Sequence, residues 1–163
     1  MKELKYSKGQ LNALVILRLL IGWHFLYEGL IKLFNPSWTA KGYLIGSKGP
    51  FKGLFNLLSG ESMIDFIDFM NIAALIVVGL GLILGLWSRW SGYIGIALLV
   101  LYYLAYPPFP GVKIMGPAEG SYLFVNKNLI EIFALAVLIK FPTEQIFGLE
   151  LFFSQKFKKK PSV

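Results

Sequence analysis

The sequence predicts an all-α fold, a four-helix transmembrane bundle with a short interfacial helix in the first outer loop. Three observations carry that reading. The 163 residues are 56% hydrophobic and only 15% charged, with a mean hydropathy of +0.63, too apolar a balance for a soluble domain of this length. Four long apolar segments follow one another, at about 11–34, 64–87, 90–106 and 121–141. The first of them gathers its charged groups onto one narrow stripe instead of scattering them, as a helix packed among other helices must. The whole chain, 1–163, reads as a single membrane domain.

The first segment, LNALVILRLLIGWHFLYEGLIKLF, is long enough to span a bilayer. It carries Arg18, His24, Glu28 and Lys32. A charge facing lipid at mid-depth costs roughly 2.5–3.5 kcal/mol or more. At about 100° per residue, His24, Glu28 and Lys32 share one stripe with Arg18 at its edge, so that stripe faces protein or water. The segment is too long and too charged at its centre for a signal peptide, and no small-residue cleavage site follows it, so it reads as retained.

Residues 35–63 form a long connection. Within it Phe51, Leu54, Phe55 and Leu58 fall at i, i+3, i+4 and i+7, with Pro50 at the first turn and Gly60 beyond the end. A short helix over 50–59 lying on the membrane surface is expected. The second span, 64–87, brings Gly79, Gly81 and Gly85, which permit close helix contact. Only Ser88 and Arg89 separate it from the third, with Trp87 and Trp90 as interface anchors. The third span, 90–106, ends in Tyr102, Tyr103 and Tyr106 and is stopped by Pro107 and Pro108. A loop over 107–120 leads to the fourth span, 121–141, which holds Asn126, Lys127, Asn128 and Glu131 and is stopped by Pro142.

The net charge is +7, and much of it lies in a basic tail, 154–163, that suits anionic lipid. No aromatic-interleaved basic surface suggests nucleic acid. Lys2, Lys5, Lys8, Arg89, Lys156, Lys158, Lys159 and Lys160 gather on one side. Lys32, Lys41, Lys48, Lys52, Lys113 and Lys127 gather on the other. That bias places both termini in the cytoplasm; the expected location, not read from the charges, is the plasma (inner) membrane of a prokaryote.

Antiparallel spans allow a depth argument. With a rise of about 1.5 Å per residue, Glu28 lies roughly 8 Å and Lys127 roughly 6 Å outside the midplane, while His24 and Glu131 lie near it. Glu28 with Lys127, and Glu131 with His24 or Arg18, are the expected pairs. Lys127 and Glu131 are also i, i+4 neighbours. Asp65, Asp68 and Asn71 enter from the second helix, Tyr102 and Tyr103 from the third. Each has a plainer reading beside the functional one. Arg18 and Glu131 can be a buried structural pair, His24 a packing histidine, Lys32 a snorkelling side chain, Asp65 and Asp68 a solvated helix start, and the tyrosines an interfacial belt.

Absences narrow the chemistry. With no cysteine, thiolate metal sites, iron–sulfur clusters and thiol relays are excluded within this chain. One histidine argues against a b-type haem. His24, Glu28 and Glu131 are metal-ligand types without metal-site spacing, so no metal is assigned. No phosphate loop, nucleophile elbow or dinucleotide fingerprint occurs. What remains is a hydrogen-bonding pocket in an apolar wall, suited to a quinone headgroup or another small amphipathic ligand.

The stretch RLLIGWHFLYEGLIKLFNPSWTAKGYLIGSKGPF at 18–51, with Arg18, Gly22, Phe25, Glu28, Gly29, Lys32, Pro36 and Trp38, resembles the first helix and loop of the DoxX/DoxD-like membrane proteins. GLWSRWSG at 85–92 and NKNLIE at 126–131 are similar to the same pattern. The resemblance implies a four-helix integral membrane protein related to the membrane subunit of thiosulfate:quinone oxidoreductase. On that basis the expected function is the membrane subunit of a quinone-linked oxidoreductase acting on thiosulfate or another small sulfur compound. With no cysteine and no domain for the thiosulfate half-reaction, a redox-active site would be completed by a second protein subunit; a homo-oligomer is the other expected assembly. Glu28, Glu131 and His24 are the candidate catalytic residues. Arg18, Lys127, Asn128, Asn71 and Tyr102 are the candidate substrate- or quinone-binding residues. Two readings of other classes stay open: a non-enzymatic scaffold that anchors partner proteins, and a small proton-coupled transporter using Glu28.

Overall fold

A computed structural model describes residues 6–108 and 123–151. The described residues are helical, with six α-helices and no β-strand: α1 (Lys8–Leu33), α2 (Lys41–Ile45), α3 (Lys52–Leu58), α4 (Ile64–Leu84), α5 (Ser88–Ala105) and α6 (Lys127–Lys140). The basic tail expected over 154–163, the loop over 109–120 and the first two residues expected in the fourth span lie outside the described residues.

α1 starts three residues before the expected boundary because Ser7 and Gln10 form a reciprocal capping box, which satisfies donors that a helix start leaves open. α4 stops at Leu84, three residues early, where Gly85 turns left-handed at φ 62°, a conformation glycine adopts without a Cβ penalty. The α4–α5 turn is therefore Gly85 to Trp87, and Ser88 and Arg89 already belong to α5. α6 begins at Lys127, with the Asn126 side chain accepting from the Leu129 amide; that cap shortens the fourth helix to 14 residues. The surface helix expected at 50–59 is present as Lys52–Leu58. The short α2 before it has no apolar period of its own and was not expected.

α1 packs along α4, α4 on α5 and α5 on α6, and α6 closes the bundle on α1. Glycines set the closest approach. A Cβ at Gly79 would stand 2.5 Å from the Leu26 amide nitrogen, and one at Gly22 would stand 3.1 Å from the Gly79 carbonyl. The central core is Ile21, Phe25, Leu75, Val78, Leu82, Leu99, Leu135 and Leu138. A second cluster of Ala40, Leu44, Phe55, Ile64 and Ala105 fastens α2 and α3 across one end. There the Lys48 and Gly49 amides donate to the last α5 carbonyl, of Ala105.

The outer faces are apolar. Ile16, Leu20, Trp23, Tyr27 and Ile31 run exposed along α1, and Phe66, Phe69, Met70, Val77, Leu80 and Leu84 along α4. Water would not tolerate so continuous an apolar surface on a monomer. α1 and α4 are long and apolar enough to cross a membrane.

Candidate functional site

At the end of the bundle covered by the 34–63 segment, the four long helices part around a cavity of about 310 Å³. Each helix contributes residues at its own period. α1 brings His24, Glu28 and Lys32, one turn apart, with Phe25. α4 brings Asn71 and Leu75, α5 Leu99 and Tyr102, and the first turn of α6 Lys127 and Asn128. The loop after α1 and the start of α2 complete the wall with Trp38, Thr39, Ala40 and Tyr43.

Hydrogen bonds hold that wall in place. The Ala40 amide donates to Asp68 Oδ1 at 2.8 Å. Tyr43 donates its hydroxyl to the Tyr102 carbonyl at 3.2 Å, and Tyr106 donates to the Tyr43 carbonyl at 2.9 Å. Asp68 thus positions the roof of the site. Asp65, its neighbour in the sequence reading, is exposed.

Three polar units meet in or behind the cavity. His24 Nδ1 and Glu131 Oε1 stand 2.7 Å apart, with the Glu131 side chain 12% exposed and the imidazole 36%. Glu28 Oε2 lies 3.3 Å from Lys32 Nζ, with Glu28 half exposed and Lys32 largely covered. The same ammonium sits 5.4 Å from the Trp38 ring centroid, a cation–π contact that replaces the hydration lost beneath the loop. Asn71 Nδ2 donates to the Tyr102 hydroxyl at 2.6 Å, which leaves Asn71 Oδ1 buried with no partner. No group of three metal-ligating side chains occurs among the described residues.

Six of the eight residues named from the sequence therefore line one cavity: His24, Glu28, Asn71, Tyr102, Lys127 and Asn128. Glu131 stands behind His24 as its hydrogen-bond partner, one of the two pairings that the depth argument allowed it. Glu28 pairs with Lys32 on its own helix, while Lys127 lines the same cavity from α6. Lys32 is thus part of the site and does not reach for the interface.

Arg18 is elsewhere. It lies about 9 Å along the helix from His24, at 1.5 Å per residue, and it is 2% exposed. Its guanidinium donates to Thr143 Oγ1 at 2.9 Å and to the Phe147 carbonyl at 2.7 Å. The chain after α6 folds back there. Leu149 and Glu150 donate their amides to the Leu84 and Gly85 carbonyls, and buried Glu144 meets Arg89 at 3.5 Å. Burial pushes the Glu144 carboxyl above its ordinary range, Glu150 adds to that rise, and Arg89 and Arg18 oppose it.

Sequence reasoning missed Thr39, Ala40 and Tyr43, because loop residues carry no period and α2, at five residues, is too short to show one. The one available signal was Asp68, a carboxylate at the start of a helix and facing a long loop.

A family model described as DoxX matches residues 13–106, which span α1 to α5. No curated protein and no solved structure gives a match. Lys127, Asn128 and Glu131 lie beyond the matched stretch.

Proposed function

The chain belongs to the DoxX family and is a membrane protein, and from that premise we propose that it is the membrane subunit of a quinone-linked oxidoreductase whose cavity receives the quinone headgroup. In this reading all four long helices cross the plasma membrane of a prokaryote, with both termini cytoplasmic and the cavity toward the outer face. α5, with 18 residues, reaches about 27 Å at 1.5 Å per residue. α6 is shorter and completes its crossing with the residues that flank it.

The observation that carries the reading is the orphaned Asn71 Oδ1. A buried amide oxygen without a partner costs about 1–3 kcal/mol, and Asn71, the residue that carries it, is one of those lining the cavity. The Asn71–Tyr102 pair can present a free acceptor or, with the amide turned, a free donor. A ring bearing carbonyl or hydroxyl oxygens satisfies either arrangement. Phe25, Leu75 and Leu99 supply the apolar walls for such a ring, and Lys32 and Lys127 bring positive charge to its oxygens. A bound quinone supplies a carrier for two electrons and two protons. This chain's own residues bind it, orient it and keep bulk water from its faces. The electron donor, thiosulfate or another small sulfur compound by family kinship, is handled on a second subunit, since this chain has no thiol.

Purification in native lipid, followed by organic extraction and mass analysis, tests the reading. A stoichiometric quinone supports it. A co-purifying protein with no extractable cofactor favours the scaffold instead.

A further inference from the structure

The cavity holds a pair of side chains arranged to move a proton, and its members are not interchangeable. His24 lines the cavity; Glu131 does not, and stands behind it on α6. A carboxylate accepts hydrogen bonds and cannot donate them. A carboxylate at 2.7 Å therefore calls for the hydrogen on Nδ1 and leaves Nε2 as the other ring nitrogen of a residue that lines the cavity. Glu131 is 12% exposed and fixes the ring through that one bond, as a second carboxylate does behind many working imidazoles.

We infer that His24 is the proton-exchange group of this cavity, that Glu131 is its positioning residue, and that the protonation of Nε2 selects between hydrogen-bond-accepting and hydrogen-bond-donating forms of one ring ligand. The ligand class rests on the proposed function. The His24–Glu131 arrangement does not.

The selection follows from the inventory of hydrogens. Neutral His24, with its hydrogen on Nδ1, offers a lone pair at Nε2 and accepts from a ligand hydroxyl. Protonated His24 offers Nε2–H and donates to a ligand carbonyl. When a hydroxyl proton passes to the ring, the ligand O–H bond breaks, the Nε2–H bond forms, and the cation is held against Glu131. The reverse returns it. The other charged and titratable groups at the site are Glu28 and Lys32 on α1, Lys127 on α6, Tyr102 on α5 and Tyr43 on α2. Glu28 is already paired with Lys32 at 3.3 Å, so it solvates the mouth of the cavity while the imidazole, held from behind by the covered Glu131 carboxylate, serves the ligand.

His24 is the single histidine of the chain, so selective ¹⁵N-histidine labelling gives one imidazole to follow in lipid nanodiscs. In the wild type, Nδ1 stays protonated across the pH range while Nε2 gains and loses its hydrogen. Glu131→Leu removes the acceptor, and the two neutral tautomers mix. Should that variant not fold, isosteric Glu131→Gln gives the same mixing, because its amide can donate or accept. Glu28→Gln leaves the tautomer unchanged.

A short-chain benzoquinone and its quinol are then bound to wild type and to His24→Asn. One linked proton makes affinity change tenfold per pH unit. The quinone weakens tenfold per unit on the alkaline side of the His24 titration and the quinol tenfold per unit on the acid side. Both slopes vanish in His24→Asn. A tautomer unmoved by replacing Glu131, or slopes that persist in His24→Asn, overturns the inference. If neither probe binds, the quinone reading fails, and the tautomer measurement still decides the role of His24 and Glu131.

Discussion

Arg18 illustrates how a cation survives inside a membrane helix. It is buried to 2% exposure, yet its two terminal nitrogens each have a partner on the segment after α6. Hydrogen bonds to a charged group contribute about 1.5–3 kcal/mol each. Arg18→Met should therefore lower the stability in detergent by about 3 kcal/mol or more and open the 142–151 segment to protease, while cavity binding persists. Equal stability of variant and wild type in thermal unfolding would remove Arg18 from this role. Glu144, in the same cluster, gives a pH test. Its carboxyl is raised by burial, so the folded chain holds that proton more tightly than the unfolded one. The stability it contributes is full below the ordinary carboxylate range and is lost as pH rises toward the raised value. Glu144→Gln should flatten that part of the profile of melting temperature against pH and leave the rest unchanged. A profile that keeps its slope in the variant would assign the loss to another group.

Between α1 and α4 the contact is backbone against backbone, as membrane helices favour where side chains are small. Gly79→Ala places a methyl 2.5 Å from the Leu26 amide nitrogen, where only movement of the whole helix makes room. Overpacking of this kind costs about 1–3 kcal/mol. Gly53→Ala, on α3 with nothing within 4 Å of the new methyl, should be neutral or slightly stabilising. Unfolding curves of the two variants check this, and equal effects would contradict the packing described. The contrast also marks how far the sequence could be read at this scale. α1, α4 and α5 were legible from hydropathy and length, and Gly79 from its place among Gly81 and Gly85. The polar stripe of α1 was legible because three turns repeat it, and with it most of the cavity lining. α2 and the fold-back over 142–151 were not. Pro142 announces that α6 ends, but the burial of Thr143 and Glu144 depends on Arg18, more than 120 residues earlier, and no local pattern reports such a partner. The ion pair of Glu28 with Lys32 was not among the pairs the depth argument offered, because that argument compared different helices and not neighbours on one.

The whole molecule is a bundle closed differently at its two ends. The loop after α1, together with α2, roofs the cavity, with α3 packed against α2, and residues 142–151, pinned by Arg18, cover the opposite end. In the proposed orientation the roof faces outward. Because the chain has no cysteine, single introduced cysteines report sidedness directly. Gly53→Cys should react with an impermeant thiol reagent in intact cells, and Gln145→Cys only after the membrane is opened. The reverse pattern would invert the topology, and reaction of both from outside would deny the fourth crossing. The central claim is that the cavity between these helices holds a quinone headgroup. It is tested most directly by the quinone retained per chain after purification in native lipid, compared between wild type and Asn71→Leu. The substitution removes the orphaned amide oxygen and the Nδ2 donor to Tyr102 while keeping the branched shape of the side chain. The account predicts about one quinone per chain in the wild type and its loss from a variant that remains folded. No extractable quinone in the wild type, or equal retention in both proteins, would contradict it.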